Sequence, residues 1–548
     1  MKKLINNPRN VVREMLEGLV ALTPGQALLA DADVVVRAEL PPREARPVAL
    51  ISGGGSGHEP AHAGYVGPGL LTAAVAGDVF TSPSVDAVLE AIRASAGPEG
   101  AVLIVKNYTG DRLNFGLAAE LARAEGIPVE IVVVADDVAL RDTVAKERRR
   151  GIAGTVLVHK VAGAAAARGD SLETVATLAR AAAEELGTMG VALGACTVPA
   201  AGRPGFTLED DAAELGLGIH GEQGVRRVPM QPADAFVETL LTSVLEDLAI
   251  TSGARVALLV NGLGGTPAME LSIVARRALS FLRERGLVVE RAWCGNYLTA
   301  IEMPGVSLSV LKVDDDRLSL LDAPASAPAW SSDGRIPAKP NVLPAPPAAS
   351  IEHPHEAGPL SSTLQATLLR IADALSAAEA ELTTLDSAAG DGDLGISMAR
   401  GAAALRSLPK HVFATPATML EAMSNALRRA IAGSSGPFYA VGLLRAARYL
   451  ENGASWATAF REGVNAIAEL GGARAGDRTM LDALLPAVEA FDAGLAWPEV
   501  VAAAEVGLQA TARMQPRLGR ASYLGDRAVG TVDAGAAAVL VWMRAIRN

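Results

Sequence analysis

The sequence is poor in the residues that define several kinds of protein. Its 548 residues hold two cysteines, Cys196 and Cys294. They are too few for a disulfide framework and lack metal-ligand spacing, which fits a reducing compartment and suggests two small core residues. Aromatic residues make up 4% of the chain and its net charge is -12. That excludes a surface built to stack bases or to hold a polyanion. Half of the residues are hydrophobic, yet no run approaches the roughly 18 uninterrupted apolar residues of a membrane span. The opening MKKLINNPRN has the lysines of a signal peptide, but Asn6, Asn7, Arg9 and Asn10 interrupt the apolar stretch one would need. The expectation is a cytoplasmic protein with neither nucleic acid nor membrane as a partner.

What is present is organised in two ways. Short apolar runs such as PVALI, AVLIV, VEIVVV and RVALLV alternate with helical stretches through the first part of the chain, as in α/β domains with buried strands. Residues 1–322 are expected to form two α/β lobes with a soft break near 185–190. Residues 323–359 hold nine of the 31 prolines and predict a semi-rigid extended linker. From 360 to 548 apolar residues recur at helical spacing, beginning with Leu364, Leu368, Ile371 and Leu375, and about eight helices without strands predict an all-α domain.

Three strand-like runs lead into polar, glycine-rich segments: SGGGSGHEPAHAG at 52–64, KNYTGDRLNFG at 106–116 and NGLGGTP at 261–267. Glycines after a strand let backbone N–H groups converge on a ligand where open α/β sheets bind one, although each segment alone also suits a structural turn. Asp111 alone would serve as a helix N-cap. His220, in ELGLGIHGEQG, adds a histidine to this set, and the four segments together suggest a shared small-ligand crevice. In the helical part, LDSAAGDGDLG places Asp386, Asp391 and Asp393 within eight residues, in a turn expected to join two helices. Oxygen-only ligands suit Mg²⁺, and three like charges repel unless a cation lies among them; a capped acidic turn is the plainer alternative. AGSSGPFYA at 432–440 offers hydroxyls and backbone N–H groups just before a helix.

Together with GIHGEQG, GDRTMLDAL and GRASYLG, taken in order along nearly the whole chain, these motifs resemble the dihydroxyacetone kinase family in its fused single-chain form. The resemblance implies a multidomain protein: a two-lobed α/β substrate domain followed by an all-α helical barrel that binds ATP and Mg²⁺. It implies that His220 bonds covalently to the carbonyl of a short ketose, with Asp111 and His58 as its acid–base and hydrogen-bonding partners, and with Gly54, Gly55 and Lys106 lining the pocket. It further implies Asp386, Asp391 and Asp393 as Mg²⁺ ligands, and Ser434, Ser435, Gly436, Thr479 and Met480 near the nucleotide. The expected assembly is a homodimer. Gln223 stands where the family usually has proline, Leu394 replaces a residue that is often polar, and VDAGA replaces the common Asp-Pro-Gly-Ala. None of these removes a proposed catalytic group.

Dihydroxyacetone has six heavy atoms, so noncovalent binding is capped near about 9 kcal/mol even at the best ligand efficiency. A reversible covalent bond supplies additional grip. Histidine suits it because an ordinary pKa of about 6.5 leaves much of it neutral at pH 7, whereas lysine at about 10.4 is mostly protonated.

Overall fold

In the structure, a computed structural model, the apolar runs of the first part become two six-stranded sheets. All residues are described except Met1, Gln223, residues 347–357, Arg520, Tyr523, Leu524, Asp526, Arg527, Arg547 and Asn548. Part of GRASYLG and the Gln223 departure therefore lie outside the described residues.

The first sheet comprises β1 (Gln26–Leu28), β2 (Val34–Arg37), β3 (Ala49–Ser56), β4 (Ala73–Val79), β5 (Ala101–Lys106) and β6 (Val129–Val134), in the order β1-β2-β4-β3-β5-β6. Its centre is parallel, β4 and β5 flanking β3. β3 and β5 are buried along their whole lengths, as parallel strands covered on both faces must be. The second sheet comprises β7 (Leu186–Ala192), β8 (Ala212–Leu215), β9 (Arg226–Pro229), β10 (Arg255–Gly262), β11 (Val288–Gly295) and β12 (Gly305–Lys312), in the order β11-β10-β12-β7-β8-β9. Only its β10–β11 pair is parallel.

The helix Thr155–Arg168 is buried from Thr155 to Ala166. A helix apolar on every side needs cover on every side. Its residues share one core with Leu50, Val102 and Ile104 of the first sheet and with Ala257, Leu259 and Leu311 of the second. This common core is the physical reason that both sheets belong to one compact unit, Met1–Leu343.

That unit extends past the boundary expected at 322. Trp330 is buried against Trp293, whose Nε1 donates to Ser332 O (3.0 Å), and Ala325, Ala327 and Ala329 pack on the same core. The first part of the proline-rich stretch is therefore a strap fixed to the α/β unit rather than free linker. Proline content stiffens a chain without saying whether an apolar anchor lies within it.

The second unit, Pro344–Asn548, shows nine α-helices among its described residues: Ser361–Ala377, Glu379–Ala389, Leu394–Arg406, Pro416–Ala430, Ser435–Glu451, Trp456–Gly471, Leu481–Asp492, Trp497–Thr511 and Ala534–Ala545. Side-chain caps start several of them, Thr415 and Ser455 accepting from the third backbone N–H of their helices. The helices surround an apolar cavity of about 610 Å³ lined by residues such as Leu368, Met398, Leu427 and Phe460. None of the described helices is long and apolar enough to cross a membrane.

Candidate functional site

In the first unit the site begins inside a strand. Residues 52–56 of SGGGSGH are not a loop after β3, as expected, but the end of β3 itself, paired in register with β4 from Gly53↔Val75 to Gly55↔Gly77. Close packing accounts for the glycines. A Cβ on Gly53 would lie 2.3 Å from Val75 O, and one on Gly55 2.5 Å from Thr81 N. At Gly54, with φ +152°, a Cβ would lie 2.6 Å from Lys106 Nζ. The glycine thus leaves room for an ammonium group beside the strand.

Lys106 ends β5 and is fully buried, its Nζ donating to His62 Nε2 (2.8 Å) and, more weakly, to Gly53 O (3.5 Å). Burial lowers its pKa, while Asp111 and Asp136 oppose the shift. Asp111 is not an N-cap. It lies in the first turn of the helix Thr109–Ala124, is 2% exposed, and its Oδ1 has no hydrogen-bond partner. A buried carboxylate oxygen without a partner is costly, and here it is available to a ligand.

The segment after β3 is tied to the second sheet. Ile301 N donates to Gly57 O (2.7 Å), Thr299 N to His58 O (3.1 Å), and Ala300 N to Leu263 O (3.0 Å). SGGGSGH and NGLGGTP therefore meet through residues 299–301. His58 is fully buried; its Nδ1 is 2.8 Å from Thr299 O, its Nε2 has no partner, and its ring stacks on Phe80. An Nδ1–H donated to the carbonyl leaves Nε2 as an unused acceptor. Burial, followed by Lys106 and His220, holds His58 well below its ordinary pKa, so it is neutral.

His220 lies between β8 and β9, half-buried, with its ring centroid 5.0 Å from that of His58, 5.3 Å from Phe80 and 4.4 Å from Tyr108. Its backbone N–H donates to Glu222 Oε2 (2.8 Å). Arg150 steadies the same turn through Glu222 Oε1 (3.4 Å), Asp137 (2.6 Å) and Gly216 O (2.8 Å). Burial pushes the imidazole down to about 4, with Glu222 opposing and Lys106 and Arg150 adding to the shift. At neutral pH it is an uncharged, nucleophilic ring. A separate cavity of about 680 Å³ runs along Gly54, Gly55, Pro60 and Tyr297, and neither His220 nor Asp111 lines it.

In the second unit one oxygen from each of Asp386, Asp391 and Asp393 lies within 4.8 Å of the others. Asp386 belongs to the last turn of the helix Glu379–Ala389, and not to the turn after it. Asp393 precedes the helix Leu394–Arg406, whose first N–H donates to Asp386 Oδ2 (3.2 Å). Gly392 has φ +77°, and a Cβ on Gly390 would lie 2.5 Å from Asp386 Oδ1. The tight turn between the helices thus brings the carboxylates together. Three carboxylates with no nitrogen or sulfur donor fit a hard, partly hydrated dication such as Mg²⁺.

The chain around GDRTMLDAL folds towards this cluster. Asp482 accepts from Thr479 N (2.8 Å) and Gly476 N (2.6 Å). Asp533 is pushed up to about 6 by burial, with Ala536 N–H and Arg478 opposing and Asp482 and Asp386 adding to the shift. Met480 is buried beside Gly535. Ser434 precedes the helix Ser435–Glu451 with no side-chain cap bond, while Ser435 and Gly436 lie inside its first turn.

Several neighbours escaped the sequence reading: Tyr108, Phe80, Glu222, Arg150, His62 and His159. Tyr108 and Glu222 lie inside quoted motifs, so adjacency to Lys106 and His220 was a usable signal. For Arg150 and His159 only the fold supplies one. Cys196 is buried as expected, but Cys294 is exposed, because the last residues of β11 lie at a sheet edge and are only partly covered.

The chain matches the Dak1 domain model over residues 17–329 and the DAK2 domain model over residues 388–548. A putative 3,4-dihydroxy-2-butanone kinase of Solanum lycopersicum is 44% identical over 99% of this chain and 97% of its own. The triokinase/FMN cyclase of Homo sapiens is 42% identical over 100% and 98%. The crystal structure of the dihydroxyacetone kinase from C. freundii in complex with AMP-PNP and Mg²⁺ is similar at a TM-score of 0.67 and 36% identity, covering 99% of both chains.

Proposed function

This chain belongs to the dihydroxyacetone kinase family, and from that premise we propose that it phosphorylates the terminal hydroxyl of a short ketose, dihydroxyacetone first, at the expense of ATP. The observation that carries the reading is the uncharged His220 ring set 5.0 Å from His58, in a chain whose full length is similar to that of fused kinases.

An unprotonated nitrogen of His220 adds to the ketone carbon. The π pair of the C=O bond passes to oxygen, which takes a proton while the other ring nitrogen releases its own, leaving a neutral hemiaminal. The bonded nitrogen has no proton left to lose, so the adduct cannot dehydrate to an imine. Lys106 and His58 face the oxygens of the anchored sugar, and Asp111, through its unpartnered Oδ1, accepts the proton of the hydroxyl that attacks phosphorus.

In the helical unit Asp386, Asp391 and Asp393 would hold Mg²⁺, which when bound neutralises charge on the transferring phosphate. Ser434, Ser435, Gly436, Thr479 and Met480 would contact the nucleotide, the first three through a helix N-terminus. The protein would act as a homodimer in the cytoplasm.

The relative from Solanum lycopersicum, a putative 3,4-dihydroxy-2-butanone kinase, favours four-carbon ketones as a second reading, with erythrulose and the branched apulose in the same range. The test is a coupled assay of ADP release across dihydroxyacetone, glyceraldehyde, both erythrulose enantiomers, apulose, 3,4-dihydroxy-2-butanone and glycerol, with FAD as a separate arm for cyclase activity. The reading requires the highest kcat/KM on a short ketose. No turnover on any carbonyl compound would refute it.

A further inference from the structure

Two buried histidines continue the hydrogen bond of Lys106. Lys106 Nζ lies 2.8 Å from His62 Nε2, and His62 Nδ1 lies 3.0 Å from His159 Nε2. All three residues are buried, at 0%, 6% and 0% exposure. His62 follows β3, and His159 belongs to the buried helix Thr155–Arg168, whose residues share one core with both sheets. Ser52 Oγ is 3.4 Å from His62 Nδ1, but its proton is already given to Ile104 O (2.7 Å). His159 Nδ1 has no partner.

The donor count sets the direction of the chain. An ammonium group has three N–H donors and no acceptor, so a protonated Lys106 requires His62 Nε2 to be bare. A neutral His62 then carries its proton on Nδ1 and gives it to His159 Nε2, which places the last proton on His159 Nδ1. Burial holds both histidines well below their ordinary range, His159 at about 3, with Lys106 adding to the effect. Both rings are therefore uncharged and each has one acceptor nitrogen.

We propose that His62 is a positioning residue that holds Lys106 as a proton-bearing donor aimed at a substrate oxygen, and that His159 fixes the tautomer His62 needs for this. The inference rests on the reading of Lys106 as part of the sugar pocket. Charged and titratable groups face Lys106 from several elements: Asp111 from the helix Thr109–Ala124, Asp136 beyond β6, His58 and His62 beyond β3, His159, and His220 from the second sheet. The two carboxylates and the His62 acceptor favour the charged form, while burial opposes it. Removing the acceptor lowers the pH at which Lys106 loses its proton.

The experiment compares pH profiles of kcat/KM for dihydroxyacetone in the wild type, Lys106→Met, His62→Ala, His62→Gln and His159→Met, with thermal melts as the check on folding. His62→Ala is expected to lose about tenfold or more in kcat/KM, as for a lost bond to a charged group, chiefly through KM. Its alkaline limb should move to lower pH by about one unit. His62→Gln, whose carbonyl accepts from Lys106 while its amide donates to His159, should restore both. His159→Met should move the limb the same way by less, and it carries the test if His62→Ala does not fold. An unmoved alkaline limb in the folded His62→Ala or His159→Met protein, or His62→Gln no better than alanine, overturns the proposal. If Lys106→Met itself retains wild-type kcat/KM, the reading of the pocket fails and takes this inference with it; a costly Lys106→Met beside a silent His62→Ala defeats this inference alone.

Discussion

At the scale of single residues, the informative feature is which buried polar atoms lack a partner. His58 Nε2, Asp111 Oδ1 and the Tyr108 hydroxyl are all buried and unbonded, and each such group destabilises the fold by about 1–3 kcal/mol. His58 and Tyr108 flank His220 and Asp111 lies beside Lys106, so a polar ligand bound there would relieve these groups. Asp111→Asn should keep the fold and the sugar adduct but lower kcat by about 10²–10⁴-fold, the usual contribution of a general base, as read by single-turnover phosphorylation; near wild-type kcat would reject the role. His220 adds a pH prediction. Because its imidazole is held down to about 4, the neutral nucleophile persists through the weakly acidic range. Adduct formation should therefore remain nearly constant from pH 8 to pH 6 and fall only as pH approaches about 4. A decline centred near about 6.5, the ordinary histidine value, would show an unburied ring.

Single elements show what the sequence makes legible. The strand-like runs, the polar residues beside them and the acidic cluster could be read in advance, because each motif carries its residues locally, whereas where β3 ends could not. The glycines of β3 misled: glycine usually marks a turn, whereas here Val75 O crowds position 53 and Lys106 Nζ position 54 of a strand. Gly54→Ala should displace the Lys106 ammonium and raise KM for the ketose at least about tenfold, given a contact of 2.6 Å and an unfavourable φ; an unchanged KM would mean that Lys106 does not touch the sugar. The sequence predicts a linker over 323–359 because the prolines are visible in it and the anchor at Trp330 is not. Trp330→Ala should destabilise the α/β unit by about 3 kcal/mol, the lower end for a buried tryptophan, in a urea titration. A change under about 0.5 kcal/mol would return the strap to linker status. His159 and Arg150 were illegible for another reason: each reaches its partner across residues distant in sequence, His159 to His62 and Arg150 to Glu222.

At the scale of the whole molecule, the α/β unit carries the uncharged His220 ring and the helical unit the three clustered carboxylates, and the proposed function divides its chemistry between them. Asp391→Asn or Asp393→Asn should abolish phosphoryl transfer while leaving the sugar adduct intact, and loss of both activities in a folded protein would argue against separate roles. The most direct test of the account is to observe the adduct itself, by crystallography or NMR with dihydroxyacetone bound to the full chain, alongside phosphorylation of dihydroxyacetone and glycerol by the wild type and His220→Ala. The account predicts a covalent bond between a ring nitrogen of His220 and the ketone carbon, no such bond with glycerol, and a large loss of ketose affinity in His220→Ala. Efficient phosphorylation of glycerol by the wild type, or undiminished ketose affinity in His220→Ala, would contradict it.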